Sequence, residues 1–153
     1  MVRTVIAVLV GYFVMALLVF ILLSGAWLVV GSDFAFQPGT TKVTMGWIAL
    51  NLPLSFIAAL AGGCTAAYIG RRPAAVRALA YLVLAVGLIF AVLHLAADDP
   101  SGREAATDGA TVQMSSFEAA SEAVQPIWYN FLIPFVGAAG VLLGGRAANK
   151  TAD

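Results

Sequence analysis

Apolar side chains dominate four stretches of the chain, at about 5–30, 46–69, 74–96 and 127–145, with polar and turn-forming residues between them. Each stretch supplies the ~20 residues that an α-helix needs to cross a bilayer. The pattern predicts an all-α, integral membrane four-helix bundle, one domain over 1–153, with loops at 31–45 and 97–126 and a tail at 146–153. Ser24-Gly25-Ala26 resembles a signal-peptide cleavage site. The apolar part before it runs to about 20 residues, beyond the roughly 7 to 15 of a signal core, so a retained first span is expected.

Composition reinforces this class. Of 153 residues, 61% are hydrophobic and 10% charged, where soluble domains carry about a quarter charged, and mean hydropathy is +0.95. The net charge of zero conceals an asymmetry. With the N-terminus cytoplasmic, Arg3, Arg71, Arg72, Arg77, Arg146 and Lys150 all fall inside, and only Lys42 and Arg103 fall outside. This positive-inside bias predicts that both termini are cytoplasmic. Trp27, Trp47 and Trp128 then sit near the outer ends of their spans, where indole rings anchor at headgroup level. The compact, alanine-rich style fits a bacterial inner membrane protein.

Small residues cluster at one level. Ala58, Gly62, Ala66 and Gly70 recur every four residues, with Ala59, Gly63 and Ala67 in a parallel row, and Gly137, Gly140 and Gly144, three and four apart, supply small residues in the fourth run. In lipid, helices associate through close van der Waals packing of such faces. A phosphate-binding loop is excluded for 58–73, which lacks the P-loop lysine pattern and a preceding strand. Cys64 reads as one more small packing residue. A shift of 81 positions lays Trp47 on Trp128, Pro53 on Pro134, Ala59 on Gly140, Gly63 on Gly144 and Cys64 on Gly145. Either a duplicated helical hairpin or convergence on common span chemistry produces this match. In both cases spans two and four should meet closely in the inner leaflet. Leu50, Phe56, Phe131 and Phe135 should splay their outer halves, and Pro53 and Pro134 permit kinks there.

Polar span residues gather at the outer level: Ser24, Asn51, Ser55, His94 and Asn130. No Asp, Glu, Lys or Arg lies deep in a run, and Arg77 is near enough to the inner surface to snorkel. Pumps and ion-coupled transporters place ionisable groups near mid-membrane, so neither is expected. One histidine and one cysteine at different depths cannot complete a metal site. Ser24, His94 and Asp98 lack the context of a nucleophilic triad. The remaining candidate is an outward vestibule in which Asn51, His94, Asn130, Ser24 and Trp128 bind a polar headgroup or small amphiphile.

Two loops complete the pattern. Residues 34–37 and 42–44 read as short extended pieces about a Pro38-Gly39 turn. The second loop starts with turn signals at Asp99-Pro100-Ser101-Gly102 and Asp108-Gly109, and from Asp98 to Gln125 it carries six acids against Arg103. Those acids do not follow the calcium-loop order. Ser115 and Glu118 have capping-box spacing, and Met114, Phe117, Ala120 and Val124 share a face, which predicts a short extracytoplasmic amphipathic helix. The Asn149-Lys150-Thr151 sequon falls on the cytoplasmic side and is discounted.

These readings converge on a non-catalytic membrane protein without cofactor or metal, an accessory or scaffold component packed through small-residue helix faces. Its expected partners are membrane lipid and either a further copy or another membrane protein, and no nucleic acid. An outward-facing binding protein for lipid or a small amphiphile is the alternative, and an uncoupled channel or transporter ranks third.

Overall fold

The computed structural model describes residues 2–38, 42–97 and 123–150. It contains four long helices: α1 (Val2–Ala35), α2 (Met45–Gly70), α3 (Pro73–Ala97) and α4 (Ile127–Lys150). All four are long and apolar enough to cross a membrane. Most of the amphipathic segment expected at 114–124 and nearly all of the acidic loop lie outside the described residues.

Local chemistry explains the helix ends. Thr44 stands in extended conformation before α2; its hydroxyl accepts from the Trp47 N–H at 3.1 Å and donates to the Phe34 carbonyl at 2.6 Å. One side chain thereby caps α2 and ties it to the end of α1. Arg71 closes α2 in the left-handed region, φ 50°, with its N–H on the Ala67 carbonyl at 2.8 Å. Pro73 then opens α3, where its fixed φ suits the first helical position and its missing N–H costs nothing. The fourth helix continues to Lys150, past the expected end at 145, since nothing between Arg146 and Lys150 opposes helix.

Gly31 interrupts α1 with φ 72° and ψ 177°, a conformation almost confined to glycine. Gly25 is helical, with open space where a side chain would project. Gly31→Ala should therefore cost about 1–3 kcal/mol. Gly25→Ala should be neutral or stabilising by up to ~1 kcal/mol. Paired thermal melts in one detergent measure both, and equal melting temperatures would show that the kink is not needed.

Beyond the kink the chain doubles back. Phe36 and Val43 form an antiparallel bridge, Gln37 N–H donates to the Lys42 carbonyl at 2.9 Å, and the Val43 N–H reaches the Val124 carbonyl at 3.2 Å. The first interhelix loop and the segment before α4 are thus joined by backbone pairing. Phe34 and Ala35 still belong to α1, so the first extended piece begins later than its composition implied.

The bundle is organised around α2, which packs extensively on α1 and on α4; α3 packs mainly on α4 and touches α1 and α2. Call the end bearing Arg3, Arg71, Arg72, Arg77 and Arg146 the basic end, and the end bearing Trp27, Trp47 and Trp128 the aromatic end. In the basic half the backbones come into contact. A β-carbon on Gly63 would fall against the Val141 backbone, 2.8 Å from its Cα, and one on Gly144 would fall 2.9 Å from the Leu60 Cα. The Cys64 thiol donates to the Gly144 carbonyl at 3.1 Å. On the other face of α2, Gly11 and Gly62 oppose each other: a β-carbon on either would stand 2.9 Å from the other's carbonyl oxygen. The row through Gly62 and Gly70 therefore meets α1, and the row through Ala59 and Gly63 meets α4.

The contacts of Gly63 with Val141 and of Gly144 with Leu60 are exchanged by the 81-residue shift. The α2–α4 pair thus has local two-fold character about an axis along the helices. A duplicated hairpin would carry α1 and α3 to opposite sides of that pair. Instead they touch, the Leu79 side chain reaching within 2.9 Å of where a Gly11 β-carbon would stand. The two-fold relation is confined to α2 and α4.

Two cores result. In the basic half, Ala59, Ala66, Ala67, Val76, Leu79, Ala80, Val83 and Val141 form one cluster, with Leu79 and Val141 fully buried. In the aromatic half, Val43, Ile48 and Tyr129 form a second, flanked by Phe36, Trp47, Leu52, Ala123 and Ile133. Loop residues therefore pack with the aromatic-end residues of α2 and α4, whereas two of the side chains expected to hold these halves apart do not do so: Phe135 is largely exposed, and the Phe56 carbonyl lies 3.1 Å from where a Gly140 β-carbon would stand.

Candidate functional site

At the aromatic end, the rings of Trp27 and Trp47 meet edge to face at 5.8 Å, and Trp27 meets Phe36 at the same distance. Trp27 comes from α1, Phe36 from the loop and Trp47 from the first turn of α2, so the kink at Gly31 brings three separate segments into one aromatic group. Such edge-to-face pairs stabilise by about 0.5–1.5 kcal/mol beyond the area they bury.

The sequence-derived vestibule residues have different surroundings. Asn51 is half-buried and its Oδ1 accepts from the Ser55 hydroxyl of its own helix at 2.9 Å. That pair straddles Pro53, whose missing N–H leaves a carbonyl one turn back unpaired within the helix. Asn130 is half-buried, and its backbone N–H reaches the Pro126 carbonyl at 3.4 Å. His94 lies half-buried in the last turn of α3, and Ser24 is half-buried on α1. Trp128 is largely exposed and stands edge-on to Tyr129 at 6.0 Å. Among the described residues no hydrogen bond joins Asn51, His94 and Asn130.

Tyr129 is the polar residue that sequence reading passed over. It is 3% exposed, within the Val43–Ile48 cluster, and its hydroxyl has no hydrogen-bond partner among the described residues. A buried hydroxyl without a partner costs about 1–3 kcal/mol. Its neighbour Trp128 drew attention as an interfacial anchor, yet the turn at Pro126 directs Tyr129 inward. No pattern at 127–130 distinguishes the two rings, because only the docking of Val43 decides which one is enclosed.

Tyr129→Phe removes the orphaned hydroxyl while keeping the ring. The expected result is unchanged or higher stability, by about 1 kcal/mol, read as a thermal melt in detergent. A loss of similar size would mean that the hydroxyl is paired in the membrane.

At the basic end a cleft of about 310 Å³ opens between α3 and α4. Arg77, Tyr81, Arg146 and Asn149 line its rim, and Val76, Ala80 and Leu142 its apolar wall. On the far side of the same end, Arg3 donates to the Ile69 carbonyl at 2.8 Å, placing a cation at the C-terminus of α2. Of the described residues, only Asp33 carries a carboxylate side chain, and it belongs to the opposite end. No cluster of three or more metal-ligating side chains occurs among the described residues.

Comparison with known protein families, with curated proteins and with solved structures finds no match.

Proposed function

We propose that this protein is a non-catalytic integral membrane component, an accessory or scaffold, with both termini in the cytoplasm of a bacterial cell and its bundle in the inner membrane. The observation that carries this reading is the seating of α4 on α2, where Gly63 lies on Val141 and Gly144 on Leu60. Backbones in contact leave no water-filled path between these helices at that level, which disfavours the channel reading. They also make a rigid pair. That pair holds α1, whose Phe13, Leu17, Phe20, Leu28 and Val29 are exposed, as an apolar face toward lipid, a second copy or another membrane protein. The orientation is supported by the five arginines at the basic end and the three tryptophans at the other.

Native mass spectrometry of protein released from its own membranes in minimal detergent tests this. A co-released membrane protein, or a clean multiple of 15.9 kDa, would support the scaffold reading; cysteines replacing Phe13 and Phe20 should then crosslink to that neighbour. A solitary monomer without any crosslink along α1 would overturn it.

Tyr129 favours a second reading, an outward-facing site for a lipid or small amphiphile beneath the aromatic group. A ligand's polar head would supply the partner that the hydroxyl lacks. A reproducible small-molecule adduct that Tyr129→Phe abolishes would select this reading over the first.

A further inference from the structure

We propose that the cleft between α3 and α4 at the basic end binds the phosphodiester headgroup of an anionic glycerophospholipid, held by Arg77 and Arg146. This rests on the four-span membrane reading and not on which side of the membrane the basic end faces.

The two arginines are placed as a pair. Arg77 lies one turn from the start of α3 and Arg146 about one turn from the end of α4. Between them the helices are locked in register by the seating of Val76 on Gly145, where a β-carbon would collide with the valine side chain. Arg77 and Arg146 directly follow these two contact residues, so they flank the same cleft at the same depth. That depth, about 5.4 Å inside each helix end, is within snorkelling reach of lipid phosphates.

Chemistry selects the occupant. Both guanidinium side chains are exposed, and neither has a carboxylate partner among the described residues. Their planar forks match the paired oxygens of a phosphate. Asn149 and the exposed Tyr81 add neutral hydrogen-bonding groups at the rim. Val76, Ala80 and Leu142 present an apolar wall below, where the first methylenes of acyl chains would lie. A volume of about 310 Å³ is at the lower edge of small-ligand sites, enough for a headgroup and the start of its chains. Basic clefts between spans recognise anionic lipids on this basis, and a zwitterionic headgroup brings a cation that the same arginines repel.

The test uses the full chain in detergent micelles doped with phosphatidylglycerol or phosphatidylcholine, read by native mass spectrometry. Wild type should retain phosphatidylglycerol over phosphatidylcholine by about tenfold; both lipids offer the same phosphodiester, and the difference comes from the choline cation that the two arginines repel. Arg77→Gln/Arg146→Gln should lose that preference, while Arg71→Gln/Arg72→Gln, outside the cleft, should keep it. Arg77→Lys/Arg146→Lys retains charge without the fork and should fall between wild type and the glutamine pair, which guards against a folding defect in the latter. Equal retention of both lipids by wild type would overturn the proposal. So would equal loss in the two glutamine pairs, which would make the effect diffuse surface charge. Displacement of the lipid by millimolar inorganic phosphate would assign the cleft to a soluble anion instead, and also overturn it.

Discussion

Gly63→Leu should prevent the bundle from assembling, and Gly63→Ala should already destabilise it by about 2–3 kcal/mol, the upper part of the range for overpacked sites. The new β-carbon would enter the Val141 backbone, and helix backbone cannot swing aside as a flexible side chain does. α2 and α4 would have to separate along their length. Separation also breaks the Cys64 thiol bond to the Gly144 carbonyl and lifts Gly144 off Leu60. Between apolar helices in lipid, little beyond these contacts drives association. Gly144→Ala tests the same contact from the other side and should match Gly63→Ala. His94→Ala, on a half-buried residue in the last turn of α3, should change stability far less. Steric trapping or unfolding by sodium dodecyl sulfate measures all four. Wild-type stability in Gly63→Leu would mean that α2 and α4 do not meet through these glycines.

The second large effect is expected at Leu79. It is fully buried where α1, α2 and α3 converge, facing Gly11, whose other neighbours are the Gly62 carbonyl and Ala66. In water, Leu→Ala in a core costs both the transfer of the lost methylenes and the cavity they leave. In a membrane the transfer part largely disappears because lipid is as apolar as the core, and the cavity part remains. Leu79→Ala should thus cost about 2 kcal/mol, below the 2.7–5.0 kcal/mol range of the soluble series. Relaxation is limited, since α1 and α2 already touch through the two glycine backbones and cannot close further on the void. A cost near zero would show that the basic half is loosely packed, and a cost near 5 kcal/mol would show that water reaches it on unfolding.

Several elements were legible in order along the chain. The four apolar runs coincide within a few residues with helices long enough to cross a membrane, because in lipid a span must satisfy its backbone internally and contiguous apolar side chains are the direct consequence. The tryptophans at one end and the arginines at the other were equally visible, since position along an apolar run fixes depth. The Pro38-Gly39 turn marked a reversal between Phe36 and Val43, which form an antiparallel bridge. The positive-φ conformation of Gly31 had no such marker, for an isolated glycine in an apolar run reads the same whether helical, as Gly25 is, or not.

The candidate site was much less legible, and Tyr129 shows why. Its enclosure depends on Val43, which reaches α4 through a backbone bond to Val124 spanning two loops. A contact between segments so far apart leaves no periodic trace in either. The same holds for Arg77 and Arg146: read singly they mark topology first and, for Arg77, contact with anionic lipid second, and only the seating of Val76 on Gly145 makes them neighbours.

By itself the sequence determined the number of apolar helices, their approximate positions and the chemistry available at each depth, because those depend on the local composition of single segments in an apolar solvent. Tertiary structure decided which small-residue row of α2 meets α1 and which meets α4. It also placed α1 and α3 on the same side of the α2–α4 pair, enclosed Tyr129 and brought two arginines to one cleft. These outcomes turn on the shapes of two surfaces at once, and a glycine stripe permits close approach without specifying what approaches it.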